Sequence, residues 1–354
     1  MTDLKHLMLV AAGTGGHVFP AITIGKRAFI SGVKVSFCTT KRGSDNWSFP
    51  KAFKVHHFGF TAFRGKGVLR QIGLMLQLVW VTGQSIIYVL RNQPDAVLAM
   101  GGYLSVPFGL ATFICRVPLF IHEQNAVPGL ANRLLAPLAV HRFCAYDRVF
   151  KNPYTKVGNP IDEKIFAVSS WQPPVKSRKL RLLVLGGSQG ASSINQLVVN
   201  TLKQGGLNGI DIRHQTGQND FIKVKKAVSH YHHKHYQLTP FIKDMAQAYQ
   251  WSDMIISRSG ALSLAEIMHV GRYALLIPLS NAVDNHQLKN ALSLKGQIWG
   301  EIWQEATCFP DRLAKWLDQF SIASLSKANR QSLGSSNADT SADLLKQISK
   351  KISE

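Results

Sequence analysis

The sequence predicts an α/β protein built from two Rossmann-like domains, each with a parallel sheet. Short apolar runs alternate along the chain with stretches of helical periodicity, which is the pattern of β-α-β units. The pattern also restarts, because residues 6–16 (HLMLVAAGTGG) and 181–191 (RLLVLGGSQGA) each read as a buried strand, a glycine turn and a helix start. A proline-rich, charged stretch at 171–179 precedes the second copy, as a linker would.

The apolar runs place the elements in order. The predicted strands are 7–12, 33–38, 96–100 and 119–123 in the first half, then 181–186, 210–216, 254–258 and 274–279. A helix is expected near Pro20 to Phe29, with Pro20 in its first turn, where a missing N–H costs nothing. The apolar stretch 68–90 is interrupted by polar side chains, which favours an amphipathic surface or core helix over a membrane span. We expect one domain over residues 1–162 and another over 163–354, whose last helix packs back on the first.

Composition narrows the class of protein. The chain has 354 residues, 45% of them hydrophobic and 17% charged, so it is long enough for two globular domains and too apolar for a disordered chain. Its net charge is +21, and residues 1–160 contribute 18 basic and 5 acidic side chains, which points to an anionic partner. The four cysteines are widely spaced and form no C-x-x-C pair, so neither a disulfide framework nor a zinc cluster is indicated, and a reducing cytosol fits.

The first glycine turn, Gly13 to His17, is a candidate site. Glycines let backbone approach a ligand, and the N–H groups of a helix N-terminus attract an anion or a developing oxyanion. His17 lies at that position, and histidine titrates near neutral pH, which suits a general base. A tight turn with a satisfied histidine fits the same residues equally well. The dinucleotide fingerprint does not fit, because Val18 stands where its third glycine is needed.

Two further turns follow strands of the second half. Residues 186–191 (GGSQGA) suit a phosphate, and residues 258–266 (RSGALSLAE) form another strand-to-helix junction. Glu266 lies two helical turns after Ser259, about 10 Å away, which matches the distance from a diphosphate to the ribose of a nucleotide. A plain turn and an ordinary amphipathic helix remain the alternative interpretations.

Polar residues also end two strands, at 122–125 (HEQN) and 284–287 (DNHQ), where open α/β sheets bind ligands. The first lacks the H-E-x-x-H spacing of zinc proteases, and the histidine-rich residues 231–235 are interpreted as solvated surface. No D-x-D occurs, so no metal or cofactor is expected, and helix N-termini would have to neutralise a diphosphate.

Together these pieces closely resemble the MurG family of bacterial cell-wall glycosyltransferases. The resemblance runs from about His6 to Ala291 and rests on a set of motifs in a fixed order. These are AGTGGHVFPA, FRGKG, GGYLSVPFGLA, HEQNAVPGLAN, VGNP, LGGSQGA, FIKDMAQAY, SRSGALSLAEI and DNHQ. The resemblance implies a twin-Rossmann glycosyltransferase fold of the GT-B type, with the two domains facing across a cleft.

The family transfers N-acetylglucosamine from UDP-N-acetylglucosamine to the C4 hydroxyl of the muramyl sugar in undecaprenyl-pyrophosphoryl-MurNAc-pentapeptide, with inversion. The resemblance therefore implies a role in peptidoglycan synthesis, cell shape and cell division. It implies His17 as the general base on the acceptor hydroxyl. Further substrate contacts are implied for Thr14, Gly15, Gly16, Asn125, Ser188, Ile242, Ala261, Leu262, Ser263, Leu264, Ala265, Glu266 and Gln287. Among these, Ile242 would meet the uracil, Glu266 the ribose, Ser188 and residues 260–263 the phosphates, and Gln287 with Asn125 the sugar.

The chain departs from the family at a few places. Asp162 stands where many members have an arginine near the nucleotide, and Val106 and Phe108 replace glycines of the second glycine loop. An acceptor with a polyprenyl tail stays in the membrane, so we expect a peripheral enzyme on the cytoplasmic face of the bacterial inner membrane. The cationic first domain and the apolar side chains of Leu74, Met75, Leu78, Val79 and Trp80 would contact the anionic lipid surface. Cell-wall assembly proteins are further expected partners.

Three other functions remain as alternatives. A UDP-GlcNAc 2-epimerase on the same fold would need acid and base carboxylates, and Glu123 is the only acid at a motif of the first half. A transferase that glucosylates diacylglycerol differs only in its acceptor. A basic nucleic-acid-binding protein fits the net charge, but no recognised reader motif or basic run with interleaved aromatics supports it, so no nucleic acid is expected as a partner.

Overall fold

The computed structural model describes residues 4–41, 48–60, 68–151, 153–174, 178–187, 190–207, 209–229, 235–329 and 339–354. The chain divides into two compact units. The first comprises Met1–Asp162 with Ala338–Glu354, and the second comprises Glu163–Asn337. Each unit carries one parallel sheet with helices packed against it, so the predicted fold class is confirmed.

The sheet of the first unit has seven described strands in the order β3-β2-β1-β4-β5-β6-β7. The strands are β1 (His6–Val10), β2 (Lys34–Thr40), β3 (Lys54–Phe58), β4 (Ala96–Ala99), β5 (Leu119–Glu123), β6 (His141–Cys144) and β7 (Thr155–Lys156). The helices of this unit are α1 (Gly15–Ile30), α2 (Val68–Asn92), α3 (Ser105–Cys115), α4 (Leu130–Leu135) and, from the end of the chain, α13 (Thr340–Ser353).

The sheet of the second unit has six described strands in the order β10-β9-β8-β11-β12-β13. The strands are β8 (Leu180–Leu185), β9 (Ile210–Gln215), β10 (Tyr236–Thr239), β11 (Met254–Ser257), β12 (Tyr273–Leu276) and β13 (Gly300–Ile302). The helices are α5 (Glu163–Phe166), α6 (Ser192–Lys203), α7 (Phe221–Val228), α8 (Met245–Trp251), α9 (Ala261–Val270), α10 (His286–Ser293), α11 (Pro310–Asp318) and α12 (Ile322–Asn329), with short 3₁₀ turns at Val283–Asn285 and Glu305–Thr307.

The first strand shows why the sheet is covered on both faces. Side chains alternate across a strand, so Leu7 and Leu9 enter one apolar cluster while Met8 and Val10 enter another on the opposite face. All four side chains are fully buried. Strands that bury both faces read as continuous apolar runs, which is why HLMLV was recognisable.

The end of the chain returns to the first unit. Leu344 and Ile348 of α13 belong to the same apolar cluster as Leu7 and α1. The Asp339 side chain caps α13 by accepting a hydrogen bond from the N–H of Ala342, and it also forms an ion pair with Arg27. Burial of one face of α13 thus joins the C-terminal segment to the N-terminal unit.

The position of Pro20 differs from the expectation. Helix α1 begins at Gly15, so Pro20 is its sixth residue and lies in the second turn, not the first. Proline has no N–H, so the carbonyl of Gly16 lacks the donor four residues later that a regular helix would supply. Pro20 is one of the buried residues of α1.

Helix α2 is apolar on both sides. Its inward side chains Leu74, Leu78 and Val81 pack against the sheet, while Met75, Val79 and Trp80 are each about 70% exposed. Among the described residues, one helical segment, Gln71–Asn92, is long and apolar enough to cross a membrane by length and composition. Its most apolar 18-residue stretch has a mean hydropathy of 1.5, and 17% of that stretch is buried. The outward apolar face is unusual for a helix that packs on a sheet.

Candidate active site

In the first unit, the candidate residues follow three neighbouring strands. Strands β1, β4 and β5 are adjacent and parallel, so their carboxyl ends meet at one edge of the sheet. The loop after β1 carries residues 13–17, the loop after β4 carries Gly101 and Gly102, and the loop after β5 carries residues 124–129. The sheet order therefore gathers the first glycine turn, the second glycine loop and the HEQN motif.

The N-terminus of α1 is open for an anion. Thr14 is the N-cap residue with an extended backbone, and its side chain caps no N–H group. Gly15 and Gly16 are the first helical residues, and the first N–H groups of a helix have no acceptor within it. The first turn contains no acidic residue, so the positive end of the helix dipole is not neutralised locally.

The second glycine loop packs directly on this turn. A Cβ atom at Gly102 would lie 2.2 Å from the carbonyl oxygen of Ala12, and the residue has a φ of +82°, so only glycine fits there. A Cβ at Gly101 would lie 3.1 Å from Cε1 of His17. The glycines thus allow the loop to lie against the imidazole ring.

The imidazole of His17 is hydrogen-bonded to the loop after β5. Its Nδ1 lies 2.9 Å from Oε1 of Gln124, a side chain that is 1% exposed. Gln124 in turn contacts the buried ring of His122. The sequence marked the HEQN motif but did not single out Gln124, which is the residue that touches the candidate base.

Glu123 holds the rest of this loop. Its carboxylate accepts hydrogen bonds from the backbone N–H and side-chain amide of Asn125, from the N–H of Gly129 and from the side chain of Asn132. The side chain is 1% exposed, and four donors satisfy a buried carboxylate well. Glu123 therefore orients Asn125 and shapes the loop, which leaves it poorly placed for acid-base chemistry of its own.

In the second unit, the glycine turn after β8 is tightly packed. A Cβ at Gly186 would lie 2.9 Å from the carbonyl oxygen of Gln215, and one at Gly190 would lie 2.9 Å from that of Thr216. Helix α6 then begins at Ser192, with no acidic residue in its first turn. Ser188 lies outside the described residues, so its contact with a phosphate stays a prediction.

Helix α9 presents the third N-terminus. Gly260 is its N-cap with an extended backbone and no side-chain cap, and Ala261, Leu262 and Ser263 form its first turn. Leu264 and Ala265 follow, and Leu264 is buried in the unit. Glu266, one turn further, is half-buried and accepts a hydrogen bond of 2.8 Å from the hydroxyl of Tyr249.

Tyr249 is well suited to orient that carboxylate. It is fully buried, and burial together with the charge of Glu266 raises the pKa of its hydroxyl well above the ordinary value. The phenol therefore stays protonated and donates to Glu266 at physiological pH. A solvated surface glutamate, the alternative interpretation of the sequence, does not describe this arrangement.

Residues at the same edge of the second sheet complete the candidate donor site. The backbone N–H of Ile242 donates to Oε1 of Gln215, and Oε1 of Gln287 accepts from the N–H of Leu279. Asp284 and Asn285, just before Gln287, both have left-handed backbone conformations, with φ of 54° and 52°. Consecutive non-glycine residues in this region are uncommon and often mark a ligand loop.

A charged cluster beside α9 was missed by sequence reasoning. The guanidinium of Arg258 lies 2.6 Å from the carboxylate of Glu305, donates to the Ser193 hydroxyl and also donates to the carbonyl of Ile277. Glu305 further accepts hydrogen bonds from Ser193 and from the N–H and hydroxyl of Ser280. The cluster ties the loop before α9 to α6 and to the loop after β12, so it fixes the candidate phosphate-binding turns relative to one another.

We expect Glu305→Gln to destabilise the second unit by up to about 3 kcal/mol at pH 7. Burial opposes ionisation of Glu305, but the hydrogen bonds from Ser193, Ser280 and Arg258 outweigh it and lower the pKa of the carboxyl to about 2. A lowered pKa stabilises the fold above the ordinary value of 4.5, and that contribution disappears as the pH falls towards 2. The difference in unfolding free energy between parent and variant should therefore shrink below pH 4.5.

The measurement is denaturant-induced unfolding monitored by tryptophan fluorescence, because five of the seven tryptophans belong to the second unit. Glu163→Gln, at an exposed position of the same unit, is the matched control and should leave the unfolding free energy nearly unchanged. An equal loss of stability at pH 7 and pH 3 in Glu305→Gln would contradict the role of the ionised carboxylate.

Among the described residues, no group of three or more His, Cys, Asp or Glu side chains is placed to hold a metal ion. The three helix N-termini described above carry no acidic residue in their first turns.

Comparison with known proteins places both halves of the chain. Residues 7–143 match the N-terminal domain of glycosyltransferase family 28, and residues 181–348 match its C-terminal domain. A relative from Coxiella burnetii is 37% identical, and the match covers 90% of this chain and 90% of the relative. A relative from Pseudomonas entomophila is also 37% identical, and the match covers 90% of this chain and 89% of the relative. Both are named UDP-N-acetylglucosamine--N-acetylmuramyl-(pentapeptide) pyrophosphoryl-undecaprenol N-acetylglucosamine transferase. A solved structure of Acinetobacter baumannii MurG matches 98% of this chain and 99% of its own, with 30% identity and a TM-score of 0.75.

Proposed function

The chain belongs to glycosyltransferase family 28, and on that premise we propose that it transfers N-acetylglucosamine from UDP-N-acetylglucosamine to the C4 hydroxyl of a lipid-linked muramyl pentapeptide. The observation that carries the proposal is the 37% identity to transferases of this name over 90% of the chain. It is an enzyme of peptidoglycan synthesis. The arrangement of each unit supports a distinct part in this reaction.

The second unit binds the donor. The N-termini of α6 and α9 meet the diphosphate with N–H groups and a partial positive charge, since neither first turn carries an acid. Glu266, held by Tyr249, accepts from the ribose hydroxyls, and Gln287 contacts the sugar. Ile242 meets the uracil through its backbone, and to donate its N–H it has to give up the bond to Gln215. Ser188 adds a hydroxyl to the phosphate site.

The first unit supplies the base. His17 accepts the proton of the acceptor hydroxyl while that oxygen forms a bond to the anomeric carbon of the donor. The bond from the anomeric carbon to the phosphate oxygen breaks, and UDP leaves with its electron pair. This direct displacement inverts the anomeric centre. Thr14, Gly15 and Gly16 contribute N–H groups at the open start of α1, and Asn125, fixed by Glu123, contacts the sugar.

The charge of UDP is neutralised by helix N-termini and not by a resident metal in this proposal. The leaving diphosphate gains negative charge as the bond breaks, and fixed backbone dipoles stabilise that charge without reorganising. Asp162, which stands near the unit boundary, is paired with Lys26 at 2.9 Å, so its carboxylate is partly neutralised.

The enzyme acts as a peripheral protein at the cytoplasmic face of the inner membrane. Its acceptor carries a polyprenyl tail, and α2 offers an outward apolar face that includes Met75, Val79 and Trp80. A net charge of +13 over residues 1–160 attracts an anionic leaflet. Arg64 and Lys66, the basic residues before α2, lie outside the described residues. Cell-wall assembly proteins are its further proposed partners.

We expect Trp80→Glu to weaken binding to vesicles of anionic phosphatidylglycerol about tenfold or more, because a charge replaces an apolar side chain at the interface. Cosedimentation of the full chain with vesicles measures this. Ile222→Glu is the matched control, since Ile222 is 73% exposed but belongs to the second unit. Equal binding of the parent protein and Trp80→Glu to the vesicles would contradict the proposal that α2 contacts the membrane.

The transfer itself is tested by offering labelled UDP-N-acetylglucosamine with either lipid-linked muramyl pentapeptide or diacylglycerol. Label in the muramyl lipid is the expected result. Label in diacylglycerol would overturn the choice of acceptor, and conversion to UDP-N-acetylmannosamine without any lipid would indicate the epimerase.

A further inference from the structure

We propose that Gln124 is a positioning residue that holds His17 in one tautomer, with hydrogen on Nδ1 and the lone pair on Nε2. The observation behind it is a chain of hydrogen bonds that runs from the carbonyl of Gly158 through His122 and Gln124 to His17. The catalytic meaning rests on the proposed function of His17 as the base. The tautomer itself is a property of the resting protein and is tested without substrate.

The series of hydrogen bonds begins at a backbone carbonyl, which can only accept a hydrogen bond. The carbonyl oxygen of Gly158 lies 2.9 Å from Nε2 of His122, so this nitrogen carries the hydrogen. His122 is fully buried, and burial lowers its pKa to about 4, so the ring is neutral at physiological pH. A neutral imidazole has a single N–H, and its Nδ1 must therefore be an acceptor.

Two contacts with His122 fix the orientation of the Gln124 side-chain amide. Its Nε2 lies 3.1 Å from Nδ1 of His122 and 3.2 Å from the carbonyl oxygen of the same residue. Both of these atoms are acceptors, so the amide group that faces them must be the NH₂. The opposite orientation of the amide would place an oxygen against two acceptors, which costs free energy at a buried site.

The oxygen of the amide then faces the candidate base. Oε1 of Gln124 lies 2.9 Å from Nδ1 of His17, and an amide oxygen only accepts. Nδ1 of His17 therefore donates, and in the neutral ring the lone pair lies on Nε2. The direction of every bond in the chain follows from two backbone carbonyls, those of Gly158 and His122.

Packing keeps Gln124 in place. The side chain is 1% exposed, and its own backbone carbonyl accepts a hydrogen bond of 3.0 Å from the side chain of Asn159. Gly101 lies against the ring of His17, since a Cβ there would approach Cε1 to 3.1 Å. The VGNP and HEQN motifs are thereby joined in one hydrogen-bonded unit that limits rotation of the imidazole.

The tautomer of His17 determines whether its Nε2 can accept the proton of the acceptor hydroxyl during transfer. Nε2 accepts the hydrogen of the acceptor hydroxyl as the new C–O bond forms, while Nδ1–H stays bound to Gln124. The imidazolium formed in this step thus needs no rearrangement of its second hydrogen bond. In the other tautomer, Nε2 already carries hydrogen and cannot accept the proton.

The test is ¹⁵N NMR of the resting full-length protein labelled only at histidine, with the His17 signals assigned by their loss in His17→Gln. The expected result is Nδ1–H and unprotonated Nε2 for neutral His17. A predominant Nε2–H form in the parent protein would overturn the proposal, and this measurement needs no destabilised variant.

Gln124→Leu removes the acceptor and should lose the Nδ1–H signature of His17. Gln215→Leu makes the same change at a side chain that is 4% exposed in the second unit, and it should leave the His17 spectrum unchanged. In turnover, Gln124→Leu is expected to lower kcat roughly 10- to 100-fold with little change in donor KM. A preserved Nδ1–H form in Gln124→Leu would show that Gln124 does not set the tautomer.

The two hypotheses fail separately. If His17→Ala retains full turnover while the Nδ1–H form is observed, then His17 is not the base but the hydrogen-bond chain stands. If turnover collapses in His17→Ala while the Nε2–H form predominates in the parent protein, then His17 is still supported as the base, but the proposed positioning role of Gln124 is wrong.

Discussion

His17→Ala is expected to lower kcat by about 10²- to 10⁴-fold while donor affinity stays nearly unchanged. His17 lies in the first turn of α1 in the first unit, whereas the residues proposed to bind the nucleotide belong to the second unit. Removal of a general base raises the barrier of the chemical step, because the acceptor hydroxyl must then lose its proton to water. Steady-state kinetics with lipid-linked muramyl pentapeptide, together with calorimetric titration of UDP, separates the two effects.

His57→Ala is the matched control, because His57 is an exposed histidine on strand β3 of the same unit. It should retain turnover within about twofold. Thermal unfolding of His17→Ala should resemble that of the parent, since the ring is only half-buried. Unchanged turnover in His17→Ala would remove the residue from the mechanism, and a parallel loss of UDP binding would point to a structural role for the ring.

The strands recognised from sequence are the central ones. β1, β4, β8 and β11 have neighbours on both sides and bury both faces, so their sequences are continuous apolar runs. The missed strands are short or lie at the sheet edges, such as β3, where Lys54, His56 and His57 are exposed. Edge strands carry charged and polar residues without penalty, so their periodicity does not stand out from a loop.

The candidate base was visible in the sequence, but its partner was not. His17 follows a glycine turn, which is a local signal. Gln124 is 107 residues away, and the two side chains meet because β4 lies between β1 and β5 in the sheet. The choice of Gln124 over its polar neighbours Glu123 and Asn125 depends on where each side chain points, and the linear sequence does not contain that information.

The Arg258–Glu305 pair shows a second limit. Arg258 stands in a recognisable motif, but Glu305 lies in a short 3₁₀ turn with no glycine pattern around it. Their contact joins loops that follow β11 and β13. A long-range ion pair of this kind leaves no local trace in composition or spacing, and it becomes evident only when the fold brings the two loops together.

Glu266→Ala is expected to raise donor KM roughly 10- to 100-fold with a much smaller change in kcat. A hydrogen bond to a charged group contributes about 1.5–3 kcal/mol, and a ribose contact acts equally in the ground state and the transition state. Tyr249→Phe should have a smaller effect in the same direction, because it keeps the carboxylate but removes the hydrogen bond that orients it. Titration with UDP alone should show the same loss, since the ribose belongs to UDP.

Two comparisons make this prediction specific to the ribose. Gln287→Ala should weaken binding of UDP-N-acetylglucosamine but not of UDP, because Gln287 is proposed to contact the transferred sugar. Asp318→Ala removes an exposed carboxylate at the end of α11 and should leave both affinities unchanged. A collapse of kcat with unaltered KM in Glu266→Ala would instead mean that this carboxylate acts on the reacting centre, and the donor would then have to bind α9 in another orientation.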